Sequence, residues 1–438
     1  MEQYKQILQE KPIYEVVGGC LGNETKNELY TMVCMPTMIE FISWVLKEAQ
    51  ESKKQRLYFL ARDGYQMYLI AQRLCEIKNI SIECRYLKVS RYAMRMPEYH
   101  LLKEKCVEHI CVGGIDVTTR RIMRRAGLDE KLAKKFLPQK NDTQILNYQE
   151  VMQLKEELRQ NNEFLERVYE VSRKTYGSAI GYLKQEGLFD DVNFALVDSG
   201  WVGTLQQTIS HLIGRPNLEG YYFGIYQIPK GMSEEQYHSY YFGWKWGLKR
   251  KVGFSNCLFE AIFTSTEGMT LGYEKKGNVY IPISDFLENP NRKQIEHNCA
   301  LLEEYMTIYG KWIHGGVEFR RKIANSSYEE SVRFTEKLLQ KFMGNPTNLE
   351  VEAYGNLLFS DDVLEGNLKK VAADLTIKDI HTQRFLNKAL IMLGIKKEEI
   401  HESAWIEGSI VKIGNHVIEN LFHAKLYKYF VYIRKLWK

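Results

Sequence analysis

Phe194-Ala-Leu-Val197 runs without a polar break into a carboxylate, Asp198. An apolar run of this length, bounded by turn residues, reads as a short strand buried on both faces. Ser199, Gly200, Trp201, Val202 and Gly203 follow as a loop with two glycines. Thr204 then stands as the N-cap of a helix whose Leu205, Ile209 and Leu212 share one face. The same pattern occurs earlier. Leu57–Ala61 is an apolar strand, Arg62-Asp63-Gly64 a polar loop, and Met67, Leu69, Ile70, Ala71 and Leu74 mark a helix after it. Ile80–Val89 reads as a further strand ending in Ser90-Arg91. Strand, helix and strand within about 35 residues make a βαβ unit with parallel pairing.

The remaining pattern is mostly helical. Pro36–Ala49 carries an apolar helical face, whereas residues 1–30 are weakly patterned. Residues 97–187 read as helices, including the arginine-rich Thr118–Ala126 and a long amphipathic helix over Asn161–Leu183 with Gly187 as its stop. Tyr221–Tyr226 reads as a strand, and Gly268–Ile283 as a hairpin turning at Lys276-Gly277-Asn278. Glu288–Ile400 is helical again, punctuated by Asn345-Pro346 and Asp361-Asp362. These elements predict an α/β protein with a parallel sheet core. Residues 1–96 and 188–284 supply its two parts, 97–187 a helical insertion that covers the site, and 285–438 a helical C-terminal region.

Composition narrows the class. A chain of 438 residues, 45% hydrophobic, can bury a large core. A net charge of +5 suits a phosphate-bearing ligand or an anionic surface and does not call for nucleic acid. Eight cysteines include no C-x-x-C pair, so a structural zinc is not expected, and free thiols fit a reducing cytoplasm. The N-terminal MEQYKQILQEK lacks the apolar segment of a signal peptide, and no run of about 18 apolar residues predicts a membrane span. The tail Phe422–Lys438 mixes lysine and arginine with tyrosine, phenylalanine and tryptophan. That composition fits an interfacial helix at a membrane surface, and equally a packed or partner-binding helix. Tyr240–Trp246 (YYFGWKW) is either a sugar-stacking platform or a packed sheet edge. Thr118–Ala126 is either a solvated helix face or a basic surface for a polyanionic acceptor.

The chemistry sits at the strand ends. A helix N-terminus with glycines before it binds anions through free N–H groups. Asp198 cannot hold a phosphate, but it can accept hydrogen bonds from sugar hydroxyls or bind Mg²⁺ beside them. Arg62 and Arg91 emerge at the same edge of the sheet and can bind a second anion. Glu260, in the apolar stretch Cys257–Phe263, is either a catalytic base or a paired acid. A haloacid-dehalogenase-type phosphatase needs a second aspartate two residues after its nucleophile, where this chain has Gly200. A Walker A loop, a dinucleotide fingerprint and a G-x-S-x-G elbow are also absent.

LYFLARDG (57–64), RYLKVSR (85–91) and ALVDSGWVGT (195–204) resemble a domain of large proteins encoded in bacterial polysaccharide gene clusters. There it follows a phosphatase domain of the haloacid-dehalogenase type. Related domains are phosphoribosyltransferase-like glycosyltransferases that make ribofuranose in surface glycans. The resemblance implies a phosphoribosyltransferase-like, Rossmann-like core. It also implies transfer of 5-phosphoribosyl from phosphoribosyl pyrophosphate (PRPP) to a glycan or lipid-linked glycan, with a separate phosphatase acting afterwards. By the same analogy Asp198 contacts the ribose hydroxyls directly or through Mg²⁺, and the Ser199–Thr204 loop (Ser199, Gly200, Trp201, Val202, Gly203, Thr204) holds the 5-phosphate. Arg62, Asp63 and Gly64 then match the diphosphate loop, with Ser90 and Arg91 beside it. Such a protein is expected at the cytoplasmic face of the membrane. The chain differs from the common phosphate-loop pattern in having Val197 before Asp198 and a loop one residue shorter. A nucleotide-sugar glycosyltransferase and a non-enzymatic scaffold of a polysaccharide synthesis complex are the rival readings.

Overall fold

The computed structural model describes residues 1–21, 24–113, 117–137, 143–285, 289–315, 327–360, 368–392 and 395–436. Its centre is one five-stranded, wholly parallel sheet. The strands are β1 (Arg56–Leu60), β2 (Glu83–Leu87), β3 (Phe194–Trp201), β4 (Glu219–Ile225) and β5 (Tyr237–Phe242), in the spatial order β2-β1-β3-β4-β5. The order runs one way from β1 to β2 and the other way from β3 to β5. Its reversal leaves a crevice outside the carboxyl ends of β1 and β3, where doubly wound sheets bind ligands. Two hairpin strands, β6 (Thr270–Lys276) and β7 (Val279–Ser284), pair antiparallel outside this sheet.

Central strands bury both faces, and their alternation sorts the core. Leu57 and Phe59 of β1 face one cluster, Tyr58 and Leu60 the other. The first cluster packs the sheet against α1 (Met35–Glu51) and α2 (Gly64–Lys78), and against helices that come much later in the chain. The helix α3 (Arg91–Leu102) follows β2, and its Ala93 and Met94 join the second cluster. Beyond it, α4 (Thr119–Arg125), α5 (Asn162–Gln185) and shorter helices enclose a separate core around Met96, Ile110, Ile122, Leu154 and Val168. The C-terminal half of α5 returns to the sheet through Ala179, Tyr182 and Leu183, joined there by α6 (Thr204–Ile213). The helices α7 (Asn256–Ile262), α8 (Arg292–Gly315) and α9 (Tyr328–Phe342) complete the first face. The last helix, α10 (Val417–Leu436), packs against Ile406–Ile413.

Several expectations change. The N-terminal stretch holds helices over Glu2–Leu8, Pro12–Gly19 and Thr25–Leu29, and Tyr4 and Tyr14 are fully buried with their hydroxyls donating to Glu350 and Glu40. Their order comes from partners remote in sequence, which local periodicity cannot display. The strand expected over Ile80–Val89 is trimmed to β2, Glu83–Leu87, and Ser90 beyond it caps α3. Tyr240, Tyr241 and Phe242 are buried in β5, so the first half of YYFGWKW is packed sheet, whereas Trp246 beyond it is exposed. Thr25–Glu51 is long and apolar enough to cross a membrane by composition, although 89% of that window is buried inside the protein. Asp361-Asp362 and the last two residues, 437–438, lie outside the described residues.

Candidate anion-binding site at the sheet switch point

Ala61-Arg62-Asp63 joins β1 to α2, and the Ala61–Arg62 peptide is cis. Gly64 opens α2 against the preceding strand. A Cβ there would stand 3.0 Å from the Phe59 carbonyl carbon, so the glycine lets the turn close tightly. Asp63 precedes the helix without capping it. Its carboxylate instead accepts the Ser199 hydroxyl at 2.7 Å, which ties the two loops together across the switch point.

The second loop is shorter than the residue pattern predicts. β3 continues through Asp198 to Trp201, because Gly200 and Trp201 pair with Gly224 and Ile225 of β4. Asp198 therefore lies within the strand, and only Val202 and Gly203 remain as loop before α6. Gly200 has φ 112°, and a Cβ on it would fall 2.3 Å from the Gly224 carbonyl oxygen. Trp201 adopts φ 73°, a left-handed conformation that non-glycine residues rarely take. Its ring is wedged among Tyr226, Phe242, Phe254 and Phe259, and its indole N–H donates to Glu260.

Thr204 is not the cap of α6. Gly203, at φ 66°, takes that position with no side-chain cap. The amides of the first turn have no partners within the helix, and Gly203, Thr204 and Leu205 line the cavity. The Thr204 hydroxyl accepts instead from Nη2 of Arg95 at 3.0 Å. Arg95 is a functional candidate that the sequence reading missed. It is 5% exposed, its Nε lacks a partner, and among the described residues it forms no ion pair. Burial pulls its guanidinium down to about 10. The available signal was its spacing: Arg91 and Arg95 stand one helical turn apart on α3, just after the Ser90 cap.

These groups converge on one cavity of about 190 Å³. Arg62, Asp63, Ser90, Arg91, Asp198, Ser199, Gly200, Trp201, Val202, Gly203, Thr204 and Glu260 all line it. Of the residues expected at the site, Gly64 alone stays behind the wall. Ser90 reaches the cavity, but its oxygen already accepts the Ala93 amide and donates to the Thr270 carbonyl, so its hydroxyl serves the fold. Met269, Thr270 and Ser360 also line the cavity, from the hairpin and from the C-terminal region. No local motif marks these three residues.

Neither a protein-family model nor a curated protein matches the chain. Function is therefore argued from the residues. The electrostatics divide the cavity. Asp63, Asp198 and Glu260 line it, and burial raises all three carboxyls, Glu260 to about 8 and Asp198 well above the usual range. Asp63 pushes the other two higher, while Arg62 and Arg91 restrain Asp63 and Glu260. Arg95 stands behind the lining, donating to Thr204, while Arg62, Arg91 and the α6 N-terminus bring positive charge to the cavity itself. Among the described residues no cluster of three metal ligands forms a dedicated cage. Mg²⁺ is commonly held by one or two carboxylates plus substrate oxygens, and Asp63 with Asp198 fits that mode.

Proposed function

We propose that this cavity binds PRPP and that the protein transfers its 5-phosphoribosyl group to a glycan hydroxyl, releasing diphosphate. One observation carries the reading. Two strand–loop–helix junctions meet at the reversal of the sheet, and Arg62, Arg91, Asp63, Asp198 and the first residues of α6 all line one cavity there. The α6 N-terminus offers donors for a terminal phosphate, and Arg95 adds its charge from behind Thr204. Arg62 and Arg91, which line the same cavity, are assigned to the leaving diphosphate. Asp198 and Asp63 are placed to accept ribose hydroxyls or to hold Mg²⁺, which would neutralise charge on the departing diphosphate.

The reaction breaks the bond from ribose C1 to the diphosphate oxygen and forms one from C1 to the acceptor oxygen. The electron pair of the old bond leaves with diphosphate, where Arg62 and Arg91 stabilise the growing charge. The acceptor hydroxyl loses a proton, for which Glu260 is the assigned base. The Trp201 N–H orients its carboxylate, and the strained backbone at Trp201 is held by the aromatic cluster behind it.

A lipid-linked acceptor fits the far end of the chain. On α10, Ile418, Phe422, Leu426, Phe430 and Ile433 recur at helical spacing and are exposed, Ile418 at 87% and Phe422 at 62%. Its other face is anchored by buried Ala424, a Tyr432–Tyr226 stack and a 2.6 Å Lys428–Glu407 ion pair. Lys425, Arg434 and Lys435 add cations to the same helix. An apolar face flanked by cations matches an anionic lipid surface.

Calorimetric titration of the purified protein with PRPP and Mg²⁺ tests the donor. Micromolar binding is expected, lost in Arg62→Ala and in Asp198→Asn. The latter puts a neutral isostere in place of a carboxyl that burial already pushes toward its neutral form, so its melting temperature should hold or rise, separating binding from folding. Absence of PRPP binding to the wild-type protein refutes the reading.

A further inference from the structure

A second cavity, about 550 Å³, takes its lining from two of the segments that line the first. Arg91 and Thr270 face the first cavity, while Tyr92 and Leu271 face the second. Arg120 and Arg124 complete its cationic wall. They are four residues apart on α4 and so share one face of that helix. The arginine-rich stretch is thereby divided, since Arg125 is buried and donates to the Val112 carbonyl at 2.6 Å. Asp129 also lines the cavity, with its carboxylate accepting the Leu132 amide as a helix cap. Arg124 lies close enough to the Tyr92 phenol to offset part of the rise that burial imposes on it.

The first cavity, at about 190 Å³, falls below the 300–1,000 Å³ of pockets that enclose a whole drug-sized ligand. On the phosphoribosyl-transfer reading the donor takes up this volume, which leaves the glycan to approach from beside it. We infer that the second cavity is the acceptor subsite and that it takes an anionic group of the acceptor, a phosphate or an acidic sugar. This inference rests on the phosphoribosyl-transfer reading. The guanidinium groups of Arg120 and Arg124 match phosphate or carboxylate oxygens through paired N–H donors. The Tyr92 ring supplies a surface for a sugar ring to stack on. An acceptor held against Tyr92 would lie one residue along α3 from Arg91, which lines the donor cavity.

The test is titration of the full chain, saturated with PRPP and Mg²⁺, with two probes in separate arms: geranyl diphosphate and a hyaluronan tetrasaccharide. The arm that responds tells a lipid-linked phosphate from an acidic sugar. Binding of at least one probe is expected. Arg120→Ala and Arg124→Ala should each weaken it roughly tenfold or more, with PRPP affinity unchanged as the sign of an intact fold. Normal PRPP binding, with both probes indifferent to the two substitutions, overturns the inference. Failure of PRPP to bind removes the donor reading instead. The cavity then stands as an anion site only if probe binding to Arg62→Ala protein disappears on adding Arg124→Ala.

Discussion

Arg95 is the residue on which the candidate site turns most sharply. Among the described residues its buried guanidinium has one hydrogen bond and no ion pair, an arrangement that weakens a fold because desolvation is not offset. Replacing it by a hydrophobic side chain of similar length should relieve that cost. Arg95→Met is therefore expected to keep or raise the urea midpoint while weakening PRPP binding at least tenfold. A variant that binds PRPP normally would reduce Arg95 to a fold residue. Glu260 gives a second test at this scale. Burial and the Asp63 charge raise its carboxyl to about 8, so at lower pH it is protonated and cannot accept a proton. The turnover rate should climb about tenfold per pH unit below that value and level off above it. Glu260→Gln should flatten the rise. The carboxyl's preference for its neutral form also means that this group favours folding below the ordinary carboxylate range. That contribution declines as pH rises toward 8.

Among the elements, the passage from β3 to α6 combines strand pairing with a left-handed turn. Gly200 is needed twice there: for its φ of 112° and for the approach of the Gly224 carbonyl. Gly200→Ala should therefore lower the urea midpoint and impair PRPP binding together, because the β3–β4 register and the α6 N-terminus move as one. Normal stability in that variant would show that the strand end tolerates a side chain. The residue pattern located this passage correctly but drew its limits wrongly. An apolar run ends at Val197, whereas pairing with β4 carries the strand to Trp201. Thr204 has the chemistry of a cap, yet Gly203 occupies that position and Arg95 takes the threonine hydroxyl.

At the scale of the whole molecule, the C-terminal helix offers a lipid-facing surface on the protein that carries the cavity. Phe422→Asp with Phe430→Asp should abolish co-sedimentation with vesicles containing phosphatidylglycerol and leave PRPP binding intact. Retained sedimentation, or a dimer that the double variant disperses, would refute membrane docking by this face. The sequence alone determined the two strand–loop–helix units and the chemistry at their ends. Apolar runs, glycines and helical spacing act over a few residues, so Arg62 and Asp63 were legible as strand-end groups and Asp198 as the acid that follows an apolar run, although the strand continues past it. Only the tertiary structure decided that β1 and β3 are neighbours at a reversal of strand order. It also brought Thr270 and Ser360 into the same wall, buried Arg95 beneath Thr204, and ordered the N-terminal helices on remote partners. Strand order, desolvation and the meeting of distant side chains depend on how the whole core closes, and no local stretch of residues encodes them separately.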